Sequence, residues 1–471
     1  MAEHYDLIVI GAGPAGEKGA SKAAQYGKRV ALIEREPYLG GASINTGTVP
    51  SKTLRESALY FSGLRQRGLY GIDYSLKEHL TVKDFMYRER AVVEEEREMI
   101  ARHVKSHHIT VIHGEASLKN QYTVKIKASK AEQEISGDII LIATGSCPHH
   151  PPEIPFDGEL IFDSDSILNM KQIPKTMTVV GGGVIGTEYA SIFTALGIHV
   201  TLIEPRGTIV SFVDSEIRQR LIDQLEKLGL HFVFDDRMTG IEPQGDHVHL
   251  ILEKGGPKDF DVALVAAGRQ SNVQGLGLEQ VGVKLGERGL ILVDENYKTN
   301  IPNIYAVGDV IGFPALTSTS MEQGRVAVIH AFDLQYKEKI APFLPLAVYA
   351  IPEISSIGLT EDDCQKKNIA YLVGRAYYEN NARGQIIGDM SGMFKLIFSP
   401  IDKKLLGAHI IGEQASELIH IASHVMLVGG PIDAFIDAVY NYPTLSGSYE
   451  YAAYDGLANH AKWLESKKNA L

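Results

Sequence analysis

Tyr5-Asp6-Leu7-Ile8-Val9-Ile10-Gly11-Ala12-Gly13-Pro14-Ala15-Gly16 decides how the chain is read. The apolar run from Tyr5 to Ile10, rich in β-branched residues, has the pattern of a strand buried on both faces of a parallel sheet. A helix-like segment from Glu17 to Tyr26 follows the glycines and is stopped by Gly27. A second strand, Arg29 to Ile33, ends at Glu34. Strand, G-x-G-x-x-G, helix, strand and acid form the dinucleotide fingerprint in its required context. Gly11 permits the tight turn, Gly13 lets a pyrophosphate approach the backbone, and Gly16 lets helix and strand pack closely. Ala15 lies in the same turn and is counted with the cofactor-binding residues. The helix start offers unpaired N–H groups to the phosphates. Glu34 can accept hydrogen bonds from a ribose diol.

The pattern then repeats. Thr176 to Val180 is another apolar strand, followed by Gly181-Gly182-Gly183-Val184-Ile185-Gly186, a helix through Ala195, a strand from His199 to Ile203, and Glu204. Glu34 lies 23 residues after Gly11 and Glu204 lies 23 residues after Gly181. The same fingerprint twice at one spacing predicts two nucleotide sites, one for a flavin cofactor and one for a nicotinamide nucleotide. Glu204 favours the free ribose hydroxyls of NAD(H), because a 2′-phosphate there would meet a carboxylate. Arg206 is a fork able to take that phosphate bidentately once Glu204 swings aside, so the second site is read as admitting NADP(H) too.

Composition bounds the rest. A chain of 471 residues holds several domains, and 44% hydrophobic with 22% charged residues is ordinary for a globular protein. The net charge of −12 argues against nucleic acid as a partner. No apolar run reaches the ~20 residues of a membrane helix, so no membrane partner is expected. The first residues run straight into a strand without the pattern of a signal peptide. The two cysteines, Cys147 and Cys364, are in no metal or redox spacing. Their expected state is two free thiols in a reducing compartment, and the expected location is the cytoplasm. Residues 54 to about 107 read as helical. His103 and His107, and likewise His420 and His424, are four apart, yet nothing in the sequence completes a metal site. They read as solvated or hydrogen-bonded, and no metal is expected.

Gly40-Gly41-Ala42-Ser43-Ile44-Asn45-Thr46-Gly47-Thr48-Val49-Pro50-Ser51-Lys52 resembles the active-site segment of the pyridine nucleotide–disulfide oxidoreductase family. In that family the segment reads Gly-Gly-x-Cys, four residues, Cys, x-Pro-Ser-Lys, and the cysteines form a redox disulfide beside FAD. Ser43 and Thr48 stand at the cysteine positions, and a hydroxyl cannot cycle between dithiol and disulfide. Further along, the family carries His-Pro-Thr-x-x-Glu, whose His is the acid/base of dithiol chemistry. Here the residues are Tyr442-Pro443-Thr444-Leu445-Ser446-Gly447. Thr at the second cysteine position and Tyr-Pro-Thr at the His-Pro-Thr position are similar to the soluble pyridine nucleotide transhydrogenases. Those proteins keep a Cys at the position of Ser43 and a Glu at that of Gly447.

The resemblance implies an α/β fold with two Rossmann-like nucleotide-binding domains, for FAD and for NAD(P), and a C-terminal α+β dimerisation domain. It implies boundaries at 1–150 for the first FAD-binding segment, 151–270 for NAD(P), 271–344 for the second FAD-binding segment and 345–471 for dimerisation. The partner is then a second copy, as a homodimer or higher homo-oligomer. Carried over residue by residue, the FAD contacts extend to Gly41, Ala42, Thr48, Lys52, Thr144, Gly145, Gly308, Asp309 and Thr317. Gly268 marks the return to the FAD domain. Lys52 and Glu188 resemble the catalytic ion pair beside flavin N5, where a held positive charge favours the reduced flavin. Three readings of function follow. One is hydride exchange between NADPH/NADP and NADH/NAD through flavin. Another is an NAD(P)H dehydrogenase of diaphorase type, with quinone, dye or oxygen as acceptor. The third is a non-enzymatic flavin-bound scaffold.

Overall fold

The computed structural model describes residues 3–63, 80–128, 131–335 and 337–469. It divides into two compact units, one made of 1–53, 86–151 and 267–340, the other of 54–85, 152–266 and 341–471.

The first unit is built on a seven-stranded sheet. Its parallel part runs Thr110–His113, Val30–Glu34, Glu3–Ile10 and Glu132–Ile142, with Ile304–Ala306 added beyond. Leu7 and Val9 point into one core with Val30, Leu32, Leu141 and Tyr305. Ile8 and Ile10 point into the opposite core with Ala31, Ile33, Ile140, Ile142 and Ile304. Both faces are covered, which is why the strands read as continuous apolar runs rather than alternations. Antiparallel strands Glu115–Asn120 and Thr123–Lys127 extend the sheet. The strand that ends in the apolar run 139–142 begins at Glu132. Its first half pairs with Thr123–Lys127 and keeps Glu132, Gln133 and Glu134 exposed, so it carries no apolar run to find. The helical reading of 54–107 holds over Thr48–Ser62 and Val82–Ser106, and its stretch 64–79 lies outside the described residues.

In the second unit a parallel sheet runs His231–Phe234, His199–Glu204, Thr176–Val180, Val262–Val265 and Ile161–Phe162. A three-stranded antiparallel sheet spans Met238–Phe260. The C-terminal part holds a five-stranded antiparallel sheet in the order Leu346–Val348, Ile354–Gly358, Leu405–Ile411, Met393–Phe398 and Leu372–Tyr377. The helix Ser448–Lys468 lies against Leu372–Tyr377 so closely that a Cβ on Gly374 would meet the Ala452 carbonyl oxygen at 2.1 Å. Lys395, fully buried, ties this sheet to the helix Ser215–Leu228. Its Nζ lies 2.7 Å from Asp214, the residue capping that helix, 2.9 Å from Glu216 and 2.5 Å from Glu361. Removing one partner of such a buried cluster typically costs about 3–5 kcal/mol. Among the described residues no helix is long and apolar enough to cross a membrane.

Candidate active site: two nucleotide cradles and a sulfur-free segment

The first cradle forms where Glu3–Ile10 turns into the helix Pro14–Gln25. Gly11 has φ +101°, and a Cβ there would meet the Ala143 carbonyl oxygen at 2.4 Å. A Cβ on Gly16 would meet the Gly11 oxygen at 1.9 Å, so this turn admits no side chain. Gly13 is the N-cap and supplies no side chain to the first turn, leaving the N–H groups of Ala15 and Gly16 facing outward. Gly41 comes up against the same turn: a Cβ on it would lie 2.8 Å from the Gly13 Cα. The Gly40 N–H donates to the Ala12 carbonyl at 2.9 Å, which holds the Gly41–Ala42 segment beside the turn.

Glu34, buried at the end of its strand, accepts from the Ala12 N–H at 2.8 Å and the Glu36 N–H at 2.9 Å, one on each carboxylate oxygen. A carboxylate has about four lone-pair sites, so Glu34 is held in place with acceptor capacity to spare for a diol. A Cβ-free turn, uncapped N–H groups and a fixed acid fit the pyrophosphate and ribose of a dinucleotide such as FAD.

Three further segments of the first unit complete its site. Thr144 and Gly145 are joined to Asn272: the Thr144 hydroxyl donates to the Asn272 carbonyl at 2.8 Å, and the Asn272 N–H donates to the Gly145 carbonyl at 3.0 Å. Asp309 follows Gly308, whose N–H donates to Gln323 at 2.8 Å. The Asp309 carboxylate accepts from the Ser146 hydroxyl at 2.7 Å, and that hydroxyl accepts from Arg269 Nε at 2.8 Å. Arg269, next to Gly268, also donates to the Ser146 carbonyl at 2.7 Å. Sequence reading missed Ser146, Gln323 and this relay, because single polar residues, one opening a three-residue strand and one inside a helix, leave no periodic signal.

The third segment is the sulfur-free one. Ser43 sits in the short helix Gly41–Asn45, and Thr48 opens the helix Thr48–Ser62. Thr317, at the start of Thr317–Ala331, bridges them: its hydroxyl lies 3.1 Å from that of Thr48 and 3.3 Å from that of Ser43. Three hydroxyls from three helices thus meet. Cys147 and Cys364 are both free thiols, and burial pushes the Cys364 thiol up. Lys52, half-buried, lies one turn into its helix with Nζ 3.3 Å from the Ser51 hydroxyl.

The second unit repeats the cradle. Gly181 has φ +108° and would clash with the Ala266 oxygen at 2.7 Å, Gly186 would clash with the Gly181 oxygen at 1.9 Å, and Gly183 caps Val184–Ala195 without a side chain. The helix start therefore offers the N–H groups of Ile185 and Gly186. Buried Glu204 accepts from the Gly182 N–H at 2.6 Å and the Arg206 N–H at 3.0 Å. Arg206 also forks onto it, with Nε at 2.8 Å and Nη2 at 3.1 Å. Burial pushes the Glu204 carboxyl up, but the hydrogen bonds from Arg206 and Gly182 outweigh it and hold the acid below its usual range. Arg206 remains 63% exposed at its side chain. The guanidinium thus rests on the acid while its outer edge stays open to solvent. Glu188 is buried in the helix Val184–Ala195 and accepts from the Tyr349 N–H at 2.8 Å.

His103 is hydrogen-bonded to Glu17, Nδ1 to Oε1 at 2.5 Å, and His424 to the His420 carbonyl at 2.7 Å. No group of three or more metal-ligating side chains occurs among the described residues.

The sequence matches the pyridine nucleotide-disulphide oxidoreductase family over residues 5–324 and that family's dimerisation domain over residues 344–453. It is 43% identical over 453 residues to a soluble pyridine nucleotide transhydrogenase of Mycobacterium bovis, covering 96% of this chain and 97% of the relative. A soluble pyridine nucleotide transhydrogenase of Colwellia psychrerythraea is 38% identical over 457 residues, covering 96% and 98%. Among solved structures, LpdA from Mycobacterium tuberculosis superposes with a TM-score of 0.89 at 25% identity, over 96% of this chain and 99% of that one. The HOCl-induced flavoprotein disulfide reductase RclA from Escherichia coli does so with a TM-score of 0.86 at 27% identity, over 96% and 99%. The chain therefore belongs to the pyridine nucleotide-disulphide oxidoreductase family, as a flavin-dependent enzyme with FAD as cofactor that oxidises and reduces nicotinamide nucleotides.

Proposed function

We propose that this enzyme exchanges hydride between NADPH/NADP and NADH/NAD without a redox-active disulfide. The observation that carries the reading is the hydroxyl cluster of Ser43, Thr48 and Thr317 at the family's disulfide position, with both thiols of the chain elsewhere. Bound FAD supplies a two-electron hydride acceptor and donor. With hydroxyls in place of sulfur, the segment offers no further carrier, so electrons leave as they came, to a nicotinamide.

The protein's own residues bind and orient. We assign 1–150 and 271–344 to FAD binding, through Gly11, Gly13, Ala15, Gly16, Glu34, Gly41, Ala42, Thr48, Lys52, Thr144, Gly145, Gly308, Asp309 and Thr317. We assign 151–270 to the nicotinamide nucleotide, through Gly181, Gly183, Val184, Ile185, Gly186, Glu204, Arg206 and Gly268. Residues 345–471 form the homodimer. In this reading Lys52 holds positive charge where hydride arrives, and Glu188 is its acidic counterpart. The Glu204–Arg206 fork lets one site take both nucleotides, since Glu204 serves a free ribose and Arg206 a phosphorylated one. We place the enzyme in the cytoplasm.

Stopped-flow reduction by NADH and by NADPH, each followed by mixing with an NAD analogue or a quinone, tests the reading. Both nucleotides bleach the flavin absorbance, the analogue restores it, and no long-wavelength thiolate-to-flavin band develops. Failure of NADPH to reduce the flavin at any concentration, or reoxidation by quinone or oxygen alone, leaves the diaphorase reading in its place. Absence of reduction by either nucleotide leaves the scaffold.

A further inference from the structure

Glu188 is a carboxylate on a helix whose neighbours Thr187 and Tyr189 to Ala195 are all buried, and it is itself 3% exposed. A buried carboxylate is costly unless its hydrogen bonds are supplied, and a bond to the charged form is among the stronger kinds. One donor here is the backbone N–H of Tyr349, at 2.8 Å from Oε1. Tyr349 is the first residue past the strand Leu346–Val348, whose Val348 is paired with Ile354. The N–H that meets Glu188 therefore belongs to the turn Tyr349–Glu353, and the aim of the carboxylate depends on where that turn is held.

Arg55 takes hold of the same turn at both ends. It is 5% exposed, its Nε donates to the Ala350 carbonyl at 2.9 Å, and its Nη2 lies 3.7 Å from the Glu353 carboxylate. Its Nη1 is drawn to Glu56 at 2.7 Å, which fixes the plane of the guanidinium. Glu353, also 5% exposed, has the Ser416 hydroxyl 3.5 Å from each oxygen, and its carbonyl accepts from the Gly412 N–H at 2.9 Å. Burial pushes the Glu353 carboxyl up, and Arg55 only partly offsets this. A planar fork meeting a carbonyl and a carboxylate is geometry an ammonium cannot reproduce. Arg55 lies three residues after Lys52 on the helix Thr48–Ser62.

We propose that Arg55 and Glu353 are positioning residues for Glu188, acting through the Tyr349–Glu353 turn whose N–H orients that carboxylate. The inference rests on the reading above that Glu188 serves hydride transfer.

The test is a double-mutant cycle on the FAD-loaded enzyme, read by the flavin reduction rate, the dissociation constant for NADH and the midpoint potential of the bound flavin. Arg55→Met slows reduction by tenfold to about 100-fold, the loss expected when a reacting geometry is misplaced by about an ångström. The NADH dissociation constant stays within about threefold, because the second cradle is untouched. Arg55→Lys recovers only part of the rate, and Glu353→Gln has the same sign with a smaller size. Each shifts the potential in the direction Glu188→Gln does, and adding Arg55→Met to Glu188→Gln slows the enzyme no further. Multiplication of the two single effects in the double variant, or an unchanged potential in both Arg55 variants, overturns the inference while leaving Glu188 in its role. An unchanged rate in Glu188→Gln removes that role and the inference with it. If Arg55→Met fails to fold, Arg55→Lys and Glu353→Gln carry the same cycle.

Discussion

The two nucleotide cradles share one backbone plan and differ in the charge of the residue two places past the acid. Each has a first glycine in the left-handed region, at φ +101° and +108°, and a last glycine whose Cβ would strike the first glycine's oxygen at 1.9 Å. Each has a twelve-residue helix capped by the middle glycine, and an acid accepting from the turn and from the residue two places on. That residue is Glu36 in the first copy and Arg206 in the second. In the first copy that position is an acid, which pairs with Arg35 at 3.2 Å. In the second copy the exposed guanidinium rests on the acid and can turn to a phosphate. The backbone of a cradle thus fits a dinucleotide without specifying which one. In the proposed function, the residue two places past the acid sets whether an extra phosphate is tolerated.

The largest expected effect breaks the symmetry of the two copies. Gly16→Ala and Gly186→Ala meet the same backbone clash, typically about 1–3 kcal/mol and more against a rigid carbonyl. The first variant purifies colourless, while the second stays yellow and is no longer reduced by NADH or NADPH. Flavin content and anaerobic reduction of the two proteins check this, and loss of flavin from both would remove the division of labour.

Next is Lys52→Met, which lies outside both copies. Loss of a transition-state electrostatic contact costs ~2.7–4 kcal/mol, so flavin reduction slows by about 100-fold or more, equally for NADH and NADPH, with dissociation constants unchanged. Unequal slowing in stopped-flow traces would move part of the nucleotide preference out of the second cradle.

Arg206→Glu gives the second copy the charge of the first. A lost hydrogen bond to a charged group is worth about 1.5–3 kcal/mol, so NADPH binding weakens by roughly tenfold to 100-fold while NADH changes by less than about threefold. Glu204→Ala acts in the opposite sense and tightens NADPH. Equilibrium titration of each variant with both nucleotides checks the pair.

The smallest effect is on stability. The Glu204 carboxyl is held below its usual range in the folded protein. Its contribution is therefore present above the unfolded value of about 4.3 and is lost as pH falls through the depressed folded value. Glu204→Gln is less stable than wild type at pH 7, by ~1 kcal/mol or less because its partner Arg206 is exposed. The gap in thermal midpoint between the two proteins narrows below about pH 4.5. A gap that is flat with pH would mean that the carboxylate is not held as charge in the native state.

Sequence alone determined the turn, helix start and acid of the two cradles, because these are local. A turn that only glycine can make, a helix start and an acid 23 residues on are encoded within one continuous stretch. It also gave Ser43 and Thr48 in the segment that resembles the family's redox segment, since that needs only residue identity and the resemblance. The strands Met238–Gln244 and Gly256–Phe260 and the first half of Glu132–Ile142 were not legible, because half-exposed strands with polar residues lack an apolar run. The partners of the site were decided by tertiary structure. Thr317 meets Ser43 across 274 positions, Asp309 meets Ser146 across 163, Glu188 meets the Tyr349 N–H across 161, and Arg55 meets Ala350 across 295. A polar side chain that bonds one distant group, side chain or backbone, leaves no periodicity and no spacing in the chain. Its partner is set only when the sheets and their connecting turns have closed around it.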